Sequence, residues 1–413
     1  MNNKFMKMPE LQRGLVAAVA FMLPFLSLLT LWGVSLSSFL FLLLALLYFK
    51  QSRAALARHW PAVRTVGFAF LIYFLFAVFC LVLRPDVGAG DIEKPARMLL
   101  AASALALVIA YRPPRSALWW GVIGGALGGA LLVGFQRLAL GMDRPGGLLN
   151  AITTGDLLVC FGLLALAAAV DQRAGGKTAW PALGAAAGLA GALMTGTRGA
   201  LVALLPAAIL FYLHARGALG GRTRELVAAS FALVVAGYAI PQTGAQARVA
   251  QGIDDVRSWY AGGSAYTNMG IRMELWKAAA QLVAERPLLG RSLAQAKRDM
   301  ARRVGEGELD PVVLPAVHFH NDALHVLVTG GLAGLFAWLS ILVAPLVFFA
   351  RSLRSATGES VAPALAGMLL VTSYLCFGLT EVIFWSVKAS LLYALMVFIL
   401  MGMCLNTQEQ ERT

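Results

Sequence analysis

Apolar residues fill this chain in blocks of roughly 17 to 25, the length that spans a bilayer core. One long polar stretch, 241–317, interrupts the series. The blocks are uniformly apolar, with no alternation along them, so helices are predicted over a closed barrel. Twelve spans follow: 14–32, 34–49, 65–83, 95–111, 116–140, 151–170, 180–194, 200–214, 225–240, 320–350, 361–378 and 387–405. The expected fold is an all-α integral membrane protein with about twelve transmembrane helices and one large helical loop outside the membrane. It divides into helices 1–9 over 1–240, the loop over 241–317, and helices 10–12 with a short cytoplasmic tail over 318–413.

Composition agrees. The 413 residues are 59% hydrophobic and 13% charged, about half the charged fraction of a soluble domain. The net charge of +13 raises nucleic acid as a partner. The basic residues are instead dispersed among loops between spans, which the positive-inside rule explains. One set of loops carries 17 Lys and Arg, the other seven apart from the interruption. Both termini are therefore expected on the cytoplasmic side, and 241–317 on the other. Lys4, Lys7 and Arg13 before the first apolar run suggest an uncleaved first span. The four cysteines lie inside apolar blocks with no metal spacing. Pairs such as Gly124-Gly125 with Gly128-Gly129, Gly184 with Gly188, and Gly330 with Gly334 suit close helix approach. No Walker motif is present, and no cofactor is expected.

Inside the interruption, Ile271, Leu275, Ala278 and Leu282 recur at helical spacing until Pro287, predicting a helix over 268–285. Arg272 and Trp276 share one of its faces. Leu293, Ala296, Met300 and Val304 predict a second helix over 292–304. Two amphipathic helices on the outer rim are thus expected.

The stretch ends in His318-Phe319-His320-Asn321-Asp322, where the next span begins. A neutral imidazole at that interface can act as a general base near neutral pH. His318, His320, His325 and Asp322 could be drawn as a metal site. Residues 320 and 325 lie about 140° apart around a helix, however, and no HExxH spacing exists. No metal is expected, and His325 reads as a packed helix residue. Asp322 either orients a neighbour or faces a cavity. Thr195-Gly196-Thr197-Arg198-Gly199 is a turn at a helix start, where free N–H groups, Thr hydroxyls and an arginine suit an anion. Against these stand plainer readings: a helix-capping His320, a snorkelling Arg198 and a solvated Arg272. A base with two arginines on the outer face fits transfer from a diphosphate-linked, membrane-bound donor. No glycosidase carboxylate pair and no GxSxG motif appear.

With its Arg-Gly turn, its large loop and its His-Asn exit, the chain resembles the O-antigen ligases. The family's His-Asn-x9-Gly signature matches His320-Asn321 through Gly331, its Arg-Gly motif matches Arg198-Gly199, and its loop arginine matches Arg272 before Trp276. The resemblance implies an inverting, metal-independent transfer of O-antigen glycan from undecaprenyl diphosphate to lipid A-core, at the periplasmic face of a Gram-negative inner membrane. It implies that His320 takes the acceptor proton and that Arg198 and Arg272 bind the diphosphate. His318, Asn321, Asp322 and Trp276 are supporting candidates. Two positive neighbours would help keep His320 neutral. The alternatives are an O-antigen polymerase of the same superfamily and, in another class, a polyprenyl-glycan transporter. The latter would need an ionisable path through the membrane, and Arg137, Asp156, Asp322 and Glu381 are near span ends or isolated.

Overall fold

The computed structural model describes residues 8–171, 179–219 and 245–412, with isolated positions between 225 and 239. The expected ninth span, 225–240, lies largely outside the described residues. Among the described residues there are helices and no strands. Seven helices are long and apolar enough to cross a membrane, and the chain is a multi-pass membrane protein.

In chain order the helices are α1 (Met8–Ser27), α2 (Gly33–Leu47), α3 (Phe49–Leu83), α4 (Gly90–Leu100), α5 (Ala102–Tyr111), α6 (Arg115–Leu138), α7 (Ala151–Ala169), α8 (Ala179–Met194) and α9 (Leu204–Leu219). After the interruption begins come α10 (Ala245–Tyr260), α11 (Asn268–Glu285) and α12 (Leu293–Gly305). The last three are α13 (Asp322–Arg354), α14 (Val361–Phe377) and α15 (Val387–Arg412). The spans expected at 34–49, 180–194 and 200–214 correspond to apolar helices of 10–17 residues. The expected span 95–111 is divided into α4 and α5 near Ala101.

Glycine sets the closest helix approaches. A methyl group on Gly125 of α6 would lie 2.4 Å from the Pro24 carbonyl oxygen of α1, and one on Gly188 of α8 2.5 Å from the Leu158 carbonyl oxygen of α7. Where lipid replaces water, such backbone contact does much of the work of helix association. α7, α14 and α15 form the buried centre.

Among its described residues the interruption holds three α-helices, one more than its periodicity predicts, and a short 3-10 turn at Pro311–Val313. The extra one, α10, is mostly exposed along its length. α11 and α12 fall where expected and are capped by the Thr267 and Ser292 hydroxyls, which accept from Gly270 N at 3.0 Å and Gln295 N at 3.1 Å. Between them Leu275, Ala278, Leu282, Ala296 and Met300 bury a small core that also takes in Val313 and Phe319. Arg291, 1% exposed, staples it through Glu285 at 3.0 Å and through Asp299.

The expected continuous span 320–350 is broken. Gly331 has φ 61° and ψ −159° inside α13. The freed carbonyls and amides of the break take up the 287–291 turn. Leu332 N donates to Pro287 O at 2.8 Å, Ala333 N to Leu288 O at 3.1 Å, and Arg291 N to Val328 O at 3.0 Å. Arg84 caps the same break through Thr329 O at 2.7 Å. A side chain at 331 would meet the Leu288 carbonyl carbon at 2.4 Å. The glycine of the His-Asn-x9-Gly pattern therefore docks the 245–317 segment onto the bundle.

Candidate functional site

The site is built where the 318–322 strand of chain, leaving that segment, interlocks with the 378–381 turn between α14 and α15. Asp322 N donates to Gly378 O at 2.8 Å, and Asn321 Nδ2 to Leu379 O at 3.0 Å. Asn321 also caps α13, its Oδ1 accepting from Leu324 N at 3.0 Å. From above, Trp276 Nε1 donates to Phe319 O at 3.0 Å. Trp276 thus ties α11 to the histidine segment.

Held this way, two imidazoles share one carboxylate. His320 Nδ1 lies 3.1 Å from Glu381 Oε2, and His318 Nε2 lies 3.2 Å from Glu381 Oε1. Glu381 is 5% exposed. Burial raises its carboxyl, but the hydrogen bond from His320, the favourable electrostatics of the two imidazoles and the Val382 amide outweigh that and leave it below the ordinary carboxylate value. Burial pulls His318 below the ordinary imidazole value, with His320 and Arg272 adding to the pull against the attraction of Glu381.

An ionised Glu381 and a neutral His318 settle the tautomers by hydrogen-bond logic. His318 carries its proton on Nε2, and its Nδ1 accepts a long hydrogen bond of 3.4 Å from His320 N. His320, facing the other oxygen, carries its proton on Nδ1. Its Nε2 lone pair is left for a ligand. The His320 backbone is in the left-handed region at φ 48°, a conformation that costs a non-glycine residue energy and persists where surrounding contacts over-determine it.

The arginines approach from two sides. Burial lowers the Arg272 guanidinium from its ordinary value, while Glu381 and Asp156 stabilise its charge. Arg144, exposed in the loop before α7, is a positive neighbour of Arg272. The Arg198 turn packs on the start of α7, Thr197 Oγ1 donating to Ala151 O at 2.9 Å. It also packs on the turn that carries Glu381: a methyl group on Gly199 would lie 2.1 Å from Thr380 Oγ1. The Arg198 side chain is exposed. The anion site expected from the threonines changes. Thr195 and Thr197 are buried, with their hydroxyls 2.8 Å apart and spent on each other and on backbone. The helix that follows opens as a five-residue 3-10 turn, Gly199–Ala203.

Asp322 is fully buried and lines a cavity of about 510 Å³ with Lys94 and His325. His325 packs against Trp385 and Phe319, with ring centroids at 5.6 and 6.1 Å. Its ring is not gathered with the other two histidines around Glu381. The donor atoms of His318, His320 and Glu381 lie within 4.8 Å of one another. That is a different set from the one the sequence suggests for a metal. Here both nitrogens face carboxylate oxygens at N–H···O distances, so a cation would have to displace both hydrogen bonds.

Residues 183–339 match the family model described as O-antigen ligase. Those residues run from α8 past the break at Gly331 and include Arg198, Arg272 and His320. Over that segment the chain is similar to the O-antigen ligases. A Haemophilus influenzae protein described as uncharacterized is 20% identical over 318 residues, covering 75% of this chain and 78% of that protein. At the level of the family, that similarity is to glycosyltransferase-like ligases.

Sequence reasoning missed two residues of the candidate site. Glu381 reads as one isolated ionisable group between spans, and Arg144 as one loop cation among several. The signal for Glu381 was a lone acid in an apolar turn on the same side as the histidines.

Proposed function

We propose that this protein transfers an O-antigen glycan from undecaprenyl diphosphate to lipid A-core, at the periplasmic face of a bacterial inner membrane. In this reading the chain has about twelve spans, both termini are cytoplasmic, and 241–317 is a periplasmic domain between the bundles 1–240 and 318–413. The observation that carries the reading is the His320–Glu381 contact at 3.1 Å, which leaves Nε2 as the open basic nitrogen.

His320 Nε2 takes the proton of an acceptor hydroxyl. The hydroxyl oxygen attacks the anomeric carbon of the donor sugar. The bond from that carbon to the diphosphate oxygen breaks with inversion, and undecaprenyl diphosphate leaves. Glu381 keeps the proton on Nδ1 and stabilises the imidazolium that forms. Charge grows on the leaving diphosphate, and Arg198 and Arg272 oppose it from fixed positions at a low-dielectric edge. His318, Asn321 and Trp276 hold the histidine segment, and Asp322 anchors it to the 378 turn. Incubating purified protein with lipid-linked O-antigen and lipid A-core tests the reading. In cells, deletion separates a ligase from a polymerase: undecorated core supports ligation, and decorated core carrying single repeat units contradicts it.

A further inference from the structure

Trp276 and Trp259 spend their Nε1 protons on Phe319 O and on Glu274, each at 3.0 Å. Trp385 has no such bond among the described residues. It is 43% exposed, although Ile383 and Phe384 just before it are buried. The turn that carries it is pinned. Phe384 O accepts from Lys94 Nζ at 2.6 Å and from Ser390 Oγ at 3.0 Å, and Trp385 N donates to Val382 O at 3.0 Å. Its ring meets those of His318 and His325 at steep angles, with centroids at 5.8 and 5.6 Å. A rigid turn thus holds an open aromatic ring and an unspent N–H beside the histidines.

Trp385 also lines the cavity of about 510 Å³, within the roughly 300–1,000 Å³ of small-molecule sites. The walls come from α3, α4, α12, α13 and the 382–385 turn, and Arg144, Arg198 and Arg272 are not among them. The charged groups in the walls are three basic, Arg84, Lys94 and Lys297, and three acidic, Asp86, Asp91 and Asp322. Arg84 is spent on Thr329 O and Leu289 O, and Lys94 on Phe384 O. Asp86 takes Ser292 Oγ and Arg298. With the signs balanced and most of the groups committed, the cavity is not built to select an ion. It offers mixed polar walls and one exposed indole.

A neutral pyranose has the matching chemistry. Its C–H face lies on an aromatic ring, and its rim of hydroxyls suits an indole N–H and walls that both donate and accept. We propose that Trp385 is the platform on which a neutral sugar of the acceptor stacks. The proposal rests on the transfer reading above and gives the two substrates different flanks of Glu381. The diphosphate lies with the arginines, which approach on α11 and on the Arg198 turn against α7. The acceptor glycan lies in the cavity walled by α3, α4, α12 and α13, past Trp385 and His318. The balanced charge of that cavity then keeps the diphosphate out of the acceptor's place.

Full-length protein in neutral detergent, followed by native mass spectrometry, tests this with lipid A-core and with lipid A lacking the core sugars, no donor being present. Wild type should prefer lipid A-core. Trp385→Ala should reduce that preference about tenfold, and Arg272→Ala should keep it. Trp385→Phe, which keeps a ring against both imidazoles, should lose part of it and carries the test if the alanine variant melts low. In transfer, Trp385→Ala should raise the acceptor KM about tenfold while the donor KM and kcat stay near wild type, the mark of a lost binding contact. A packing role alone, through His318, would lower kcat and leave the acceptor KM and the lipid preference unchanged, and that result overturns the proposal. Equal binding of the two lipids by wild type also overturns it. If wild type still forms product in either case, the transfer reading stands without the platform. A Trp385-dependent preference for lipid A-core without product supports the sugar platform and contradicts the transfer reading instead.

Discussion

Glu381 receives His320 Nδ1 at 3.1 Å on one oxygen and His318 Nε2 at 3.2 Å on the other. One buried carboxylate thereby fixes the rings of both histidines that the 245–317 segment delivers. The free Nε2 of His320 follows from this geometry, and so do most of the expectations below.

Glu381→Gln should lower transfer by about 10²–10⁴-fold, the range for losing general base catalysis. An amide can also donate to Nδ1 and so favour the wrong tautomer. Glu381→Asp should retain part of the rate, being shorter but still charged. Steady-state transfer by the purified variants checks this. Equal rates for wild type and Glu381→Gln would remove the carboxylate from the mechanism.

Arg198→Ala and Arg272→Ala should each reduce kcat/KM by about tenfold to a thousandfold, and lysine at either position should restore only part of it. Lysine keeps the charge but not the planar fork that grips phosphate oxygens. Full rescue by lysine would reduce both roles to simple charge.

Gly331→Ala should destabilise the junction between the 287–291 turn and α13. The cost combines about 1–3 kcal/mol of backbone strain with the 2.4 Å clash against Leu288. Limited proteolysis should then cut more readily near 287–291. Wild-type resistance there would show that the break tolerates a side chain.

His318 has its folded value below the ordinary 6.5. The unfolded chain therefore binds its proton first as pH falls, and stability drops below pH 6.5 until the lower folded value is passed. The slope is at most about 1.4 kcal/mol per pH unit. Glu381 acts in a lower window, losing its contribution as pH falls from 4.5 through its depressed folded value. Melting in detergent between pH 7.5 and 5.5 should thus fall more steeply for wild type than for His318→Gln. Parallel slopes would contradict a buried neutral His318.

Much of the fold was legible because lipid imposes a simple rule, that long apolar blocks become helices. α11 and α12 fall within a residue of their periodicity. The break in α13 was not legible as a break, since Gly330 and Gly331 sit in unbroken apolar sequence and the hydrogen bonds that reward the kink come from a turn some forty residues earlier. His320, Arg198 and Arg272 are candidates that short motifs single out. Glu381 is sixty-one residues from His320 and belongs to no motif, so only folding reveals their contact. Thr195 and Thr197 show the converse, being polar in sequence yet consumed by internal hydrogen bonds.

The most direct measurement is transfer in vitro by wild type and His320→Ala, with defined lipid-linked glycan and lipid A-core, each with and without EDTA. Wild type should form product equally in both conditions. His320→Ala should form none at matched expression and melting temperature. Full activity of His320→Ala, or wild-type activity lost to EDTA and restored by zinc or magnesium, would contradict a histidine base held by Glu381.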